Sequence, residues 1–473
     1  MSKVKRNFIY NASYQVLKLF TSFITTPYIS RVLGANGRGV YSYAYSIAAY
    51  FVMFAMLGVN SYGNRSIAMA RENAEELNKK FTGIYCFQMG TSAIMIALYI
   101  FYTAFLCGDK VIGWLLLGYV ISAGLDINWL FAGLEKFNII VLRNIGVQIL
   151  TTAAIFLFVR QRTDVYIYTL INVAGIAASQ LIMWASLYKY VRFVKVGWRE
   201  IIAHAKPNII LFIPLMAVSL YTVMDKVMLG MLSSKTEVGL YEACEGICQI
   251  PGAFIFALEG VMLPRMSNLW ANKDEEQSAR YIDLSILFAL FSSTAICFGL
   301  MSVAREFVPV YYGSGFEKCI ILYQWLLPSN IFVAFANIIR VQFLIPRGYD
   351  KVYVSSVCLG AAVNIVLNLL LIPQLQSLGA ALGTFAAEMT VCMYQCIAVR
   401  HKLPIQRYFI QAVPFLASGL VMYWVLTHID FPFYAIYSIG IKILLGIVLY
   451  FGVLLVGVLI FRKYLFYHTV GKR

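Results

Sequence analysis

Charge is scarce in this chain. Of its 473 residues only 13% are Asp, Glu, Lys or Arg, against roughly 25% in a soluble domain. So few charges cannot cover a water-soluble surface of this size. A cytosolic enzyme, a disordered chain and a secreted disulfide scaffold are thereby excluded. Acid is scarcer than base, with 22 Asp and Glu against 38 Lys and Arg, a net +16. In a soluble protein that excess would suggest nucleic acid. In a chain that is 61% hydrophobic it has a simpler source, the basic bias of cytoplasmic membrane loops, and no nucleic-acid partner is expected. Catalytic motifs are missing too. Gly34-Ala-Asn-Gly-Arg-Gly39 is glycine-rich but follows a helix, so it is no nucleotide loop, and no Walker lysine occurs. His204, His401, His428 and His468 are isolated. Cys244/Cys248 and Cys392/Cys396 have helical spacing but no His or Asp beside them, and read as packing residues rather than metal ligands. No enzyme activity, metal or cofactor is expected.

What is there is apolar sequence in long runs. A helix needs about 20 such residues to cross the hydrocarbon core. Fourteen stretches qualify: 7–30, 40–61, 81–106, 111–131, 143–159, 165–188, 207–232, 240–263, 281–303, 319–343, 352–373, 378–399, 408–428 and 434–461. The start, Met1-Ser-Lys-Val-Lys-Arg6, resembles a signal-peptide n-region. The apolar run behind it extends to about Val32, too long for such a signal, so it reads as a retained first span. With the N-terminus in the cytoplasm, 26 of the 38 basic residues fall inside, Lys136 and Arg143 among them, and 8 outside, including Arg31, Arg38 and Lys318. The other four, Lys18, Lys226, Arg340 and Lys442, lie within spans. That asymmetry predicts both termini in the cytoplasm. The longest loops, 62–80, 189–206 and 264–280, are each under 20 residues. Activity must therefore come from the embedded bundle.

The chain resembles itself at an offset near 200. Gly39-Val-Tyr41 matches Gly239-Leu-Tyr241, Arg65 matches Arg265, and Arg71-Glu-Asn-Ala-Glu-Glu76 matches Ala271-Asn-Lys-Asp-Glu-Glu276. Span 1 pairs with span 7 and span 2 with span 8. Six spans separate the copies, so both have the same orientation. Such parallel repeats enclose a cavity and rock to give alternating access. The expected architecture is all-α and polytopic: a six-helix lobe over 1–206, a second over 207–407, and two appended helices with a tail over 408–473.

Ionisable groups at membrane depth cost about 2.5–3.5 kcal/mol each on insertion scales, so each needs a reason. Span 1 carries Asn11, Tyr14, Gln15, Lys18, Ser22 and Thr25 on one face. Span 8 carries Glu242, Glu245, Gln249 and Glu259, and span 12 has Thr384, Glu388 and Gln395. Asp225-Lys226 ends span 7, Asp126 and Asn128 lie in span 4, and Asn330, Asn337 and Arg340 lie in span 10. These faces cannot all meet lipid, and lining a shared wet cavity is the economical arrangement. The bland alternative is helix–helix glue for the amides and hydroxyls, and snorkelling for Lys226. Lys442 reads as structural. Lys18 and Arg340 are the leading substrate-site cations, with Asn11, Gln15, Lys226 and Asn337 beside them. Asp126, Asp225, Glu242, Glu245 and Glu388 are the candidates for charge pairing or for a coupling ion, H+ or Na+. Arg65 and Arg265 mark the cytoplasmic ends of spans 2 and 8.

Moving one unpaired hydroxyl into hydrocarbon costs roughly 4–8 kcal/mol. An oligosaccharide on a lipid therefore cannot cross unaided, and a polar cavity removes that barrier. Cations there suit a diphosphate. The stretch Leu125-Asp-Ile-Asn-Trp129-Leu-Phe-Ala-Gly133-Leu-Glu135-Lys136-Phe137 resembles the span-4 signature of bacterial polysaccharide-unit flippases. Ser30-Arg-Val-Leu-Gly34, Asp225-Lys-Val-Met-Leu-Gly230, Val238-Gly-Leu-Tyr241, Val261-Met-Leu-Pro264-Arg265 and Phe343-Leu-Ile-Pro346 resemble that family as well. It is the polysaccharide transporter family (Wzx-type O-antigen and capsule repeat-unit flippases), within the multidrug/oligosaccharidyl-lipid/polysaccharide exporter superfamily. The resemblance implies a V-shaped pair of lobes in the bacterial cytoplasmic membrane, flipping undecaprenyl-diphosphate-linked repeat units. The expected partners are that lipid-linked oligosaccharide, membrane lipids and a polysaccharide polymerase, with the chain a monomer. A multidrug or organic-cation antiporter of the same superfamily is the alternative, kept open by Asp126, Glu242 and Glu388. A membrane glycosyltransferase or ligase is disfavoured by the short loops.

Overall fold

The computed structural model describes the backbone of residues 3–465. Side chains are described from residue 14 to residue 460, except at 16, 214, 217, 220, 221, 254, 257 and 260. Among the described residues there is no strand. The chain divides into two compact units, Met1–Ser219 and Leu220–Arg473.

The first unit holds α1 (Lys3–Met56), α2 (Val59–Ala70), α3 (Ala74–Phe105), α4 (Lys110–Gly124), α5 (Asn128–Gly133), α6 (Phe137–Phe158), α7 (Val165–Leu187), the short α8 (Trp198–Ala203) and most of α9 (Ala205–Thr222). The second holds α10 (Met224–Leu232), α11 (Lys235–Ala271), α12 (Glu275–Tyr312), α13 (Cys319–Ile339), α14 (Asp350–Leu375), α15 (Ser377–Val399), α16 (Ile405–Thr427) and α17 (Ala435–Leu465). A π turn, Arg340–Leu344, continues α13.

Eleven helices among the described residues are long and apolar enough to cross a membrane. The chain is a multi-pass membrane protein. These eleven do not add up to the expected fourteen. One of them, Leu17–Ala70, takes in the second expected span and the latter part of the first. The expected spans 207–232 and 240–263 fall in α9, α10 and α11, which lie outside the eleven.

The expected outside loop after span 1 is absent. The break is Gly34 alone, at φ 67° and ψ 178°, a conformation essentially open only to glycine. Arg38 nevertheless reaches back to the Ser30 hydroxyl at 2.6 Å and the Thr26 carbonyl at 3.5 Å. Twelve residues of straight helix span about 18 Å, beyond an arginine's reach, so the chain folds back at Gly34. Other helix starts are set by side-chain caps. Asn73 accepts from the amides of Glu75 and Glu76, Asp109 from Ile112, and Asp274 from Gln277. Asn73 and Asp274 both lie in the repeated stretch, one position out of register with each other, and each caps the start of a long helix.

Candidate functional site

In the second unit the polar network centres on Asp225, in the first turn of α10 and 1% exposed. A carboxylate buried that far must be hydrogen-bonded. Its Oδ2 accepts from the Tyr241 hydroxyl at 2.8 Å and the Thr384 hydroxyl at 2.6 Å, and its Oδ1 from Asn368 Nδ2 at 2.6 Å. Asn368 also donates to Asn364 Oδ1 at 3.1 Å. Four helices, α10, α11, α14 and α15, thus converge on one carboxylate. Gly383 makes room for it, because a Cβ there would stand 2.3 Å from Asn368 Oδ1. That Oδ1 and the Asn364 Nδ2 are buried without a hydrogen-bond partner among the described residues. Orphaned buried polar atoms of this kind mark a place where something else can bind.

Two ion pairs flank the network. Lys226 Nζ lies 2.7 Å from Glu245 Oε2, and Glu242 interacts with the same ammonium. Arg340 pairs with Glu259 and sits 5.5 Å above the Tyr353 ring. Arg340 opens the π turn, a backbone irregularity that tends to occur at functional sites. Its Nε has no partner among the described residues. Glu388, one helical turn beyond Thr384, interacts electrostatically with both Asp225 and Arg340. Asn337 precedes Arg340 by three residues and is 8% exposed. The structure therefore brings Asp225, Lys226, Glu242, Glu245, Glu388 and Arg340 into one linked group. It holds two cations against five carboxylates, counting Glu259, so this group is acidic.

The first unit has a smaller network. Asp126 Oδ1 accepts from the backbone and side-chain amides of Asn128 at 2.8 and 2.6 Å. Gln88 Nε2 donates to the Asp126 carbonyl at 2.9 Å, and Trp129 Nε1 donates to Gln88 Oε1 at 3.0 Å. Arg143 interacts with Asp126 and Tyr14. The expectation that Arg143 belongs to a cytoplasmic loop is corrected here. It lies two turns inside α6, 8% exposed, with its guanidinium bonded to Asn144 Oδ1. Lys18 and Gln15 are exposed on α1, and no ion pair or hydrogen bond engages the Lys18 ammonium among the described residues. The Asn11 side chain lies outside the described residues. Sequence reasoning missed Arg143, Asn364 and Asn368. The last two form an i,i+4 asparagine pair in an apolar run, the signal that could have found them.

At the helix ends named for Arg65 and Arg265, the arginines differ. Arg265 donates to Gln277 Oε1 at 3.0 Å and lies 5.6 Å from the Tyr281 ring centre. Arg65 is exposed midway along α2 and lines a cavity of about 510 Å³ with Lys80 and Glu76.

Comparison with known proteins decides the family. The family described as "Polysaccharide biosynthesis protein" matches residues 4–270, more than half of the chain. The chain belongs to that family. Among relatives of this polysaccharide biosynthesis protein, one from Escherichia coli (strain K12), named "Putative O-antigen transporter", is 22% identical over 84% of this chain and 97% of its own. A Haloferax volcanii protein named "Probable low-salt glycan biosynthesis flippase" is 23% identical over 50% of this chain and 48% of its own. In fold, the chain is similar to the lipid II flippase MurJ in its inward closed conformation, with a TM-score of 0.66 and 18% identity over 93% of this chain and 99% of that one. An inward-facing multidrug resistance MATE transporter of the MOP superfamily gives a TM-score of 0.60 at 11% identity, over 82% of this chain and 98% of that one. The expected family and the all-α polytopic fold are therefore borne out.

Proposed function

We propose that this protein carries lipid-linked oligosaccharide repeat units, built on undecaprenyl diphosphate, across the bacterial cytoplasmic membrane for O-antigen, capsule or exopolysaccharide synthesis. It is a carrier rather than an enzyme. Its two halves alternate access to the two sides, and both termini lie in the cytoplasm. The observation that carries this reading is polar and charged chemistry kept at membrane depth in a member of the polysaccharide biosynthesis family. The named roles of its relatives agree. Lys18, an ammonium without an acid on it, is suited to the diphosphate. The acidic group around Asp225 takes the coupling cation, a proton or Na+. The oxygens gathered at Asp225, from its carboxylate, the Asn364 and Asn368 side-chain amides and the Tyr241 and Thr384 hydroxyls, are of the kind hard cations prefer.

Organic-cation antiport is the second reading, and the excess of carboxylates over cations beside Asp225 favours it. Cellular output separates the two. Lys18→Ala and Asp225→Asn should each lower surface polysaccharide at least tenfold while membrane abundance of the protein stays unchanged. Unchanged polysaccharide in both variants, with lost tolerance to organic cations, would establish the antiporter instead.

A further inference from the structure

The cavity beside Arg65 lies apart from the charged groups described above. It is an open cleft lined by α2, α3 and the start of α9, all in the first unit. Its lining includes the charged Arg65, Lys80 and Glu76 and the apolar Met69, Ile210 and Leu211. The cations are unsatisfied. Neighbouring Arg71 is held by Glu135 at 2.6 Å, and Lys79 by Glu200 at 2.8 Å. Arg65 and the half-buried Lys80 make no ion pair or hydrogen bond among the described residues. Glu76 lines the same space and pairs with neither of them.

The surroundings are those of a membrane–water boundary. The connector 188–206 carries Lys189, Arg192, Lys195, Arg199 and Lys206. Its Tyr188, Phe193 and Trp198 are 71%, 53% and 72% exposed, the aromatic-and-basic mixture of an interface. It is pinned to α3, where Asn78 Oδ1 accepts from the Arg192 amide at 2.8 Å and Thr82 Oγ1 from the Val194 amide at 3.2 Å. On α9, which supplies Ile210 and Leu211 to the cavity, Ile209, Ile210 and Ile213 are 47%, 56% and 50% exposed. The cavity therefore adjoins exposed apolar helix.

Two cations with one carboxylate, opening onto apolar helix, match a phosphate and an ammonium attached to acyl chains. We infer that this cavity binds the headgroup of a phosphoethanolamine lipid. Arg65 and Lys80 hold the phosphate, Glu76 the ammonium, and α9 the acyl chain. Inorganic phosphate lacks both the ammonium and the chains, and a purely anionic lipid would leave Glu76 opposed to its charge.

The test is lipid retention by the full chain, measured by native mass spectrometry after purification from nanodiscs of equal phosphatidylethanolamine and phosphatidylglycerol. The wild type should retain phosphatidylethanolamine at least fivefold over phosphatidylglycerol. The double substitution Arg65→Gln/Lys80→Gln should lose both, while Lys110→Gln, on the first turn of α4, changes nothing. Glu76→Gln keeps every cation and should invert the preference towards phosphatidylglycerol, so the inference stays testable if the double variant fails to fold. Equal retention of the two lipids by the wild type, or a preference untouched by Glu76→Gln, would overturn it. Displacement of the bound lipid by millimolar inorganic phosphate would assign the site to free phosphate.

Discussion

Lys442 of α17 is 2% exposed, and its ammonium lies 2.5 Å from Glu306 Oε1 on α12. Glu306 Oε2 is buried without a partner among the described residues. Removing one member of such a pair strands the other, at about 3–5 kcal/mol, whereas replacing both by apolar groups is close to neutral. Lys442→Ala should therefore lower the thermal unfolding temperature in detergent markedly, and Lys442→Met with Glu306→Leu should recover most of the loss. His204 gives a pH dependence. It lies between α8 and α9, outside the spans, 7% exposed and sharing a 2.8 Å hydrogen bond with the Tyr62 hydroxyl. Burial, then the charge of Lys80, pushes its pKa below the usual 6.5. The native state thus resists a proton that the unfolded chain takes up below about pH 6.5. Stability should fall as pH drops through 6.5 towards the native value, and be unaffected by this group above 6.5. His204→Gln should flatten that part of a melting-temperature profile, and an equally steep profile in the variant would contradict the assignment. Lys18, Asp225 and Arg340 were legible as residues because a charge inside an apolar run has no cheap explanation. Arg143 was not, because a basic residue close to a span end looks like a loop residue until its helix start is known.

Gly34 is where an element depends on a single residue. A Cβ there would meet nothing within 4 Å, so space is not the constraint; φ +67° is. Gly34→Ala should cost about 1–3 kcal/mol, read as a lower unfolding temperature, while Gly90→Ala, with open space and ordinary helical backbone, should cost nothing or stabilise slightly. Apolar run length located most helices well. It failed where length carries no information about a bend. Spans 1 and 2 look like two helices and a nine-residue loop, yet their turn is one glycine. Span 7 looks continuous, yet it breaks at Val223 between α9 and α10, which sets Asp225 in a helix first turn. The capped starts of α3 and α12 were visible only as a repeated phrase, Asn-Ala-Glu-Glu and Lys-Asp-Glu-Glu, before the structure gave them a shared role.

For the whole molecule, two compact units and the repeat within the sequence describe a carrier built from related halves. The halves differ chemically. The second concentrates carboxylates around Asp225, while among the described residues of the first the buried Arg143 interacts electrostatically with Asp126 and the Lys18 ammonium is unengaged. Composition alone could reveal that polar chemistry is kept in the membrane. It could not reveal that Lys226 and Arg340 already hold glutamates, because pairing depends on which helices meet. The function proposed above divides its labour accordingly, assigning a cation to the second half and an anionic headgroup to the first. The most direct measurement is translocation in proteoliposomes holding the full chain and a fluorescent undecaprenyl-diphosphate oligosaccharide, read as loss of protection from an external glycosidase. Protein-dependent transfer, abolished by Lys18→Ala in a variant that melts like the wild type, is the predicted result. Transfer no faster than in protein-free vesicles, under an imposed H+ or Na+ gradient of either direction, would contradict the account.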